Sequence, residues 1–240
     1  MSIWRYANPA EFMRVSSHAL GPVWVLAVGL LSVGLIWALF FIPDDYQQGS
    51  TIKILFIHVP AALIAINAYF IMAVASVIGL IRRHHVSFLV AKAAAPLGAA
   101  FTLVALITGA VWGQPMWGTW WVWDARLTAV LVMFFFYLGY IALWAAIDEP
   151  EKAADLSAVT CLVGAIFAFL SRYAVNFWAT LHQGASLSVE SGQRMDDAFR
   201  TPLYFCMAGF VLLFLALLLV RTRTEIRQRR LRALRLKEAA

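Results

Sequence analysis

Six stretches of this chain, residues 21–42, 59–81, 89–111, 127–147, 156–178 and 202–220, are apolar over a length that can cross a hydrocarbon core, which takes about 20 residues of helix. Backbone N–H and C=O groups in lipid must be satisfied within the segment, so each stretch is expected to be a helix. The composition agrees: of 240 residues, 62% are hydrophobic and 13% charged, too little polar surface to enclose a water-soluble globule. The expected fold is all-α, a polytopic membrane protein with six transmembrane helices in one domain spanning residues 1–240.

An even number of crossings puts both termini on one side, and the basic residues indicate which. With the termini in the cytoplasm, the cytoplasmic segments hold Arg5, Arg14, Arg82, Arg83, Lys92, Lys152 and eight basic residues from Arg221 to Lys237. The external segments hold only Lys53, Arg126, Arg172, Arg194 and Arg200, so the positive-inside rule favours cytoplasmic termini by fourteen to five. The net charge of +6 is mostly topological and gives no reason to expect nucleic acid. The first span is too long for a signal-peptide core and no small-residue cleavage site follows it, so it is expected to be retained.

The polar segments between spans carry further expectations. Phe12, Val15 and His18 predict an amphipathic helix on the cytoplasmic surface before residue 21. Pro60 is expected at the start of the second span, where a missing N–H is tolerated. Lys92 reads as a snorkelling anchor and Pro96 as a tolerated kink. Pro150 and the charges of DEPEKAAD mark a break between spans four and five. The basic tail, 221–240, would place Ile226, Leu231 and Leu234 on one side of a helix; it reads as a topology anchor touching anionic membrane lipid, or else as a docking surface.

Enzyme chemistry finds little support. There is no phosphate-binding GxxxxGK[ST] loop, so any ATP hydrolysis belongs to a partner, and no serine, cysteine or histidine stands in a hydrolase context. Cys161 and Cys206 fall at different membrane depths, which argues against a disulfide. No HExxH, Cys/His cluster or carboxylate set supports a non-haem metal.

What the chain does offer is tryptophan. Five of its ten, Trp112, Trp117, Trp120, Trp121 and Trp123, fall in WGQPMWGTWWVWDAR, on the external side. An interfacial aromatic belt would spread indoles over all the helix ends, whereas this loop, 112–126, concentrates them, as a platform for a large planar ligand would. Trp117, Trp120, Trp121 and Asp124 follow i, i+3, i+4, i+7 spacing and predict a short surface helix with three indoles on one face. Gly113 and Gly118 would let a ligand approach closely. Asp124 is expected to cap the fourth span. Arg126, in its first turn, opposes the helix dipole and wants an anionic neighbour such as a propionate; Arg172 can snorkel to the same level.

His58 and His182 share that external side, whereas His18, His84 and His85 lie on the other. Two neutral imidazoles on opposite faces of a porphyrin are an ordinary way to hold haem iron, so these two are the candidate axial ligands. Gly184, two residues after His182, is expected to end the fifth helix and leave the imidazole at the lip of the membrane.

The run WGQPMWGTWWVWDARLT resembles the tryptophan-rich WWD signature of the membrane haem-handling proteins of cytochrome c maturation. Together with FIHVPAA, WATLHQG, the length and the six spans, it is similar to the haem exporter protein C (CcmC) family over nearly the whole chain. The resemblance implies a bacterial inner-membrane protein that presents haem b, its transported ligand, at the periplasmic face. His58 and His182 match the family's axial-ligand positions, and Trp112 to Asp124 its haem-binding loop. It also implies transfer to a periplasmic haem chaperone, and assembly with an ABC-type ATPase, its permease subunit and a small single-span protein. From the residues alone, a b-type cytochrome anchor, a haem channel and a purely structural membrane subunit stay open.

Overall fold

The computed structural model describes residues 8–178, 180–182 and 195–238. Six helices account for most of them: α1 (Pro9–Phe40), α2 (Leu55–Arg82), α3 (His85–Trp117), α4 (Ala125–Ala146), α5 (Pro150–Phe177) and α6 (Asp197–Glu238). All six are long and apolar enough to cross a membrane.

Their ends are set by local chemistry. Asn8 opens α1, its Oδ1 accepting the Ala10 N–H at 2.9 Å, with Pro9 in the first turn where a missing donor costs nothing. His84 opens α3 by accepting the Ser87 N–H at 3.0 Å, and Asp124 opens α4 by accepting the Leu127 N–H at 2.7 Å. Pro150 starts α5, so most of DEPEKAAD forms the first turns of that helix. At the end of α2, Arg83 adopts a left-handed conformation (φ 49°) and its Nη1 donates to both carboxylate oxygens of Asp155 at 2.8 Å, tying α2 to α5.

Helices α2, α3, α4 and α5 form the core, and α1 and α6 pack along each other beside α2 and α3. The core is built from alanines alternating with a few large side chains, among them Tyr69, Met72, Met133 and Tyr137, all fully buried. Tyr137 donates its hydroxyl to the Ala65 carbonyl at 2.8 Å, and its ring meets Tyr69 edge-on with centroids 4.8 Å apart. Such a bond discharges a polar group that hydrocarbon would otherwise leave unsatisfied. Both cysteines are free and buried, in different clusters: Cys161 with the α2–α5 core, Cys206 with Ala38, Ile52 and Phe56.

Three expectations need correction. The segment before residue 21 is not a separate surface helix, because α1 runs unbroken from Pro9 through Pro22. Pro60 is not at a helix start; α2 begins five residues earlier, continuing a short 3-10 turn, Ser50–Ile54, that supplies the nucleus. The basic tail is helical and continuous with the sixth span: α6 runs for 42 residues, about 63 Å, twice a hydrocarbon core. Its basic end is strapped to the bundle by three arginines. Arg221 donates to the Ala93 carbonyl, Arg223 to the Met13 carbonyl and Ser16 hydroxyl, and Arg232 to the Asp148 carbonyl. Ile226 is accordingly buried, while Leu231 and Leu234 stay exposed.

Lys92 is the third correction. It does not snorkel; its ammonium pairs with Glu225 of α6 at 2.8 Å and lies 4.7 Å from the centre of the Trp144 ring. The carboxylate side chain is only 12% exposed, so the pair is costly to break on one side. Glu225→Gln is expected to destabilise the protein by about 1–3 kcal/mol, the cost of a charged group losing its partner. Lys92→Met combined with Glu225→Leu is expected to recover most of that, read as the thermal midpoint in detergent.

Candidate functional site

The tryptophan run folds around the end of α3. The helix does not stop at residue 111 but continues through Pro115 to Trp117, where Gly118 takes a positive φ of 75° and donates its N–H to the Gln114 carbonyl at 2.9 Å. Residues 119–124 are not helical, so the predicted short surface helix carrying Trp117, Trp120, Trp121 and Asp124 is absent. The i, i+3, i+4 spacing was misleading because a glycine in the left-handed region breaks the helix between the first indole and the next two. Trp117 belongs to α3; Trp120, Trp121 and Trp123 belong to the link into α4. Within that link Trp121 and Trp123 meet edge-on, centroids 5.5 Å apart, and Thr119 Oγ1 braces the turn by accepting the Trp121 N–H and donating to its carbonyl.

The five indoles have different duties. Trp112 is half-buried and donates its Nε1–H to Gln48 Oε1 at 2.9 Å, tying α3 to the loop after α1. Gln48 is itself held by Asp45, whose Oδ1 accepts its N–H at 2.8 Å. Trp117 lies over Gly113: a side chain there would meet the Trp117 ring at 2.9 Å, so the space at Gly113 serves the indole. Trp120 and Trp123 are open to the surroundings, 60% and 75% exposed. Trp121 is half-buried with its Nε1 enclosed and unpaired.

The two histidines predicted as a pair stand on either side of the last turns of α3. His58, on the first turns of α2, meets the edge of Trp112 with ring centroids 5.7 Å apart. His182 meets Trp117 with centroids 5.0 Å apart. Trp112 and Trp117 are separated by five residues, about 7.5 Å of helix rise, so both imidazoles sit at the same end of the bundle. They lie within range of each other's charge.

Each ring is oriented through its Nδ1. His58 Nδ1 is 3.0 Å from Thr108 Oγ1, and the ring fits against Gly109, where a side chain would come within 2.9 Å of its Cε1. His182 Nδ1 faces Asp124 Oδ2 at 3.9 Å, and both atoms are buried without a hydrogen-bond partner among the described residues. Burial, with the Arg126 guanidinium adding to it and Asp124 opposing it, lowers the His182 pKa to about 4. The ring is therefore uncharged at neutral pH, with one nitrogen lone pair to offer.

Arg126 is half-buried in the first turn of α4 and, among the described residues, makes no hydrogen bond or ion pair. Arg172 is exposed on α5 beside Tyr173 and within range of the Arg126 charge. α5 ends at Phe177, and Trp178 donates its N–H to the Ala174 carbonyl, so Gly184 is not what ends the helix; Gly184 itself and Arg194 lie outside the described residues, as does Arg5. His18, His84 and His85 belong to the other end of the bundle. No group of three or more histidine, cysteine or acidic side chains that could hold a bare metal ion occurs among the described residues.

Three residues at this site were not singled out from the sequence: Gln48, Thr108 and Gly109. A hydroxyl beside a glycine one turn before Trp112 was the available signal, since position 108 shares a helix face with 112. The partner of that face, His58, is fifty residues away in the chain.

Six membrane-length helices with an imidazole- and indole-rich face at one end define a multi-pass helical membrane protein. The profile of the heme exporter protein C family matches residues 2–237. Among similar proteins, heme exporter protein C of Paracoccus denitrificans (strain Pd 1222) is 64% identical over 239 residues, covering 99% of both chains. That of Rhodobacter capsulatus is 58% identical over 241 residues, again 99% of both, and that of Escherichia coli (strain K12) 46% identical over 225 residues, 94% of this chain and 91% of the other. The chain belongs to the heme exporter protein C family.

Proposed function

We propose that this protein binds haem at its tryptophan end and passes it on for cytochrome c maturation, with no reaction of its own. The observation that carries the reading is the seating of His58 and His182 against Trp112 and Trp117 of one helix end. The residues present suit the cargo. Two imidazoles can supply both axial bonds to iron, the exposed indoles of Trp120 and Trp123 offer flat apolar surface to a porphyrin, and Arg126, which makes no ion pair among the described residues, suits a propionate, with Arg172 near enough to join it. The unpaired Trp121 Nε1, His182 Nδ1 and Asp124 Oδ2 are polar atoms that burial alone would penalise.

The distribution of basic residues, fourteen against five, supports cytoplasmic termini and a tryptophan end facing the periplasm across a bacterial inner membrane. Haem, of the b type because nothing in the chain would attach it covalently, is then presented to a periplasmic haem chaperone. Family membership supports assembly with an ABC-type ATPase, a permease subunit and a small single-span protein, the ATPase supplying the hydrolysis for which this chain has no phosphate loop.

The test is the absorption spectrum of the purified full-length protein. The wild type is expected to retain low-spin haem with two nitrogen ligands. His58→Ala and His182→Ala are each expected to lower the six-coordinate fraction at least tenfold, and the double substitution to lower haem content itself. Unchanged haem content and coordination in both single variants would overturn the ligation.

A further inference from the structure

The two imidazoles are held through equivalent atoms by partners of unequal strength. Thr108 donates its hydroxyl hydrogen to the Val104 carbonyl at 2.6 Å. With that hydrogen engaged, the oxygen can only accept at 3.0 Å from His58, so His58 carries its proton on Nδ1 and leaves Nε2 as a bare lone pair. The partner here is a neutral hydroxyl already polarised in another direction.

His182 faces a carboxylate instead. Asp124 Oδ1 is fixed by the Leu127 N–H at 2.7 Å, which anchors the group to the start of α4 and aims Oδ2 at His182 Nδ1. Both of these atoms are buried and have no hydrogen-bond partner among the described residues, and the Asp124 side chain is only 7% exposed. Their separation of 3.9 Å exceeds a hydrogen bond by about 1 Å. An unpaired buried acceptor and an unpaired buried donor side by side lower each other's free energy by meeting.

We propose that Asp124 is a positioning residue for His182: its Oδ2 accepts the Nδ1–H, fixes Nε2 as the iron-facing atom, and makes His182 the stronger electron donor of two unequal axial ligands. The inference rests on the haem ligation proposed above. A carboxylate behind an imidazole raises the basicity of the ligating nitrogen, while a hydroxyl does so far less. The stronger donor favours ferric iron, so removing the carboxylate raises the reduction potential.

Asp124→Asn separates this role from the helix cap. The side-chain oxygen can still accept from Leu127, but an amide NH2 now points at His182 and demands an acceptor there. The imidazole proton is driven to Nε2 and the lone pair is lost to iron, as happens when an orienting aspartate behind a histidine becomes asparagine in other proteins. In the purified full-length protein, Asp124→Asn is expected to keep the wild-type thermal midpoint, to lose at least tenfold of its low-spin haem, and to raise the potential of what remains. Thr108→Val is expected to change the potential much less. A second measurement needs no variant: in haem-free wild type labelled with 15N-histidine, the His182 resonances are expected to report the Nδ1–H tautomer. An Nε2–H tautomer, or an Asp124→Asn protein with wild-type spectrum and potential while His182→Ala alters both, overturns the inference and leaves the ligation standing. A His182→Ala protein identical to wild type removes both.

Discussion

Gly98→Val is expected to prevent the bundle from packing, with little folded protein recovered from detergent. A side chain at this position would fall on the ring and hydroxyl of Tyr137. Tyr137 cannot yield, because it is fully buried, bonded through its hydroxyl to the Ala65 carbonyl and packed edge-on against Tyr69. Tyr69 is blocked in turn, since its own hydroxyl occupies the space a side chain at Gly164 would need. Overpacking a core costs typically about 1–3 kcal/mol; here the displaced tyrosine also gives up a buried hydrogen bond worth about 1 kcal/mol and leaves its own hydroxyl without a partner. The gain in helix propensity over glycine, about 1 kcal/mol at most, does not offset this. Gly139→Ala is the control: it has open space around it and is expected to leave the thermal midpoint within a few degrees of wild type. Gly98→Val with wild-type stability would show that α3 and α4 do not cross at Tyr137.

Gly109→Val is expected to leave the fold intact and empty the site. The first atom of the new side chain would stand 2.9 Å from His58 Cε1 and 3.5 Å from its Nδ1, and the valine branches add two more carbons against the same ring. The imidazole is boxed in by Thr108 on one edge and Trp112 on another, so it can move only by breaking its hydrogen bond to Thr108. Purified Gly109→Val protein is expected to carry at least tenfold less six-coordinate haem than wild type, with circular dichroism and thermal midpoint nearly unchanged. Gly109→Ala, with one carbon to accommodate, is expected to fall between the two. Wild-type haem content in the valine variant would mean that the His58 ring is not held where α2 and α3 place it.

Each apolar run in the sequence coincides with one helix, because a residue's transfer from water to lipid is nearly independent of its neighbours in space. The helices outrun the apolar spans where polar residues continue them: α1 reaches back to Pro9, α3 on to Trp117 and α6 to Glu238. Hydropathy has nothing to say there, since those turns are stabilised by caps and by contacts with other helices. Asp124 as the cap of α4 was legible, because a cap is a matter of three consecutive residues. The indole helix was misread, because the pattern at Trp117, Trp120 and Trp121 is helical on paper while Gly118 between them turns the chain.

Lys92 shows the other limit. Its charge near the end of an apolar run has two solutions, reaching out to the headgroups or pairing within the bundle, and nothing near it in the chain chooses between them. Glu225, more than a hundred residues away, does. The same holds for the surroundings of the candidate ligands. The sequence nominated His58 and His182 as a pair, but the hydroxyl behind one and the carboxylate behind the other come from α3 and from the start of α4.

By itself, then, the sequence determined that this chain holds six segments long and apolar enough to cross a membrane and that Asp124 caps the fourth helix, and it nominated the residues proposed to meet haem. Only the tertiary structure decided that α6 extends as an arm braced by Arg221, Arg223 and Arg232, that Lys92 is paired, and that His58 and His182 flank one helix end with Thr108, Gly109 and Asp124 around them. The physical reason is range. Burial in lipid, capping and helix propensity act on a residue or its near neighbours and are written in order along the chain, whereas hydrogen bonds, ion pairs and close packing join residues whose separation in sequence carries no record of their distance in space.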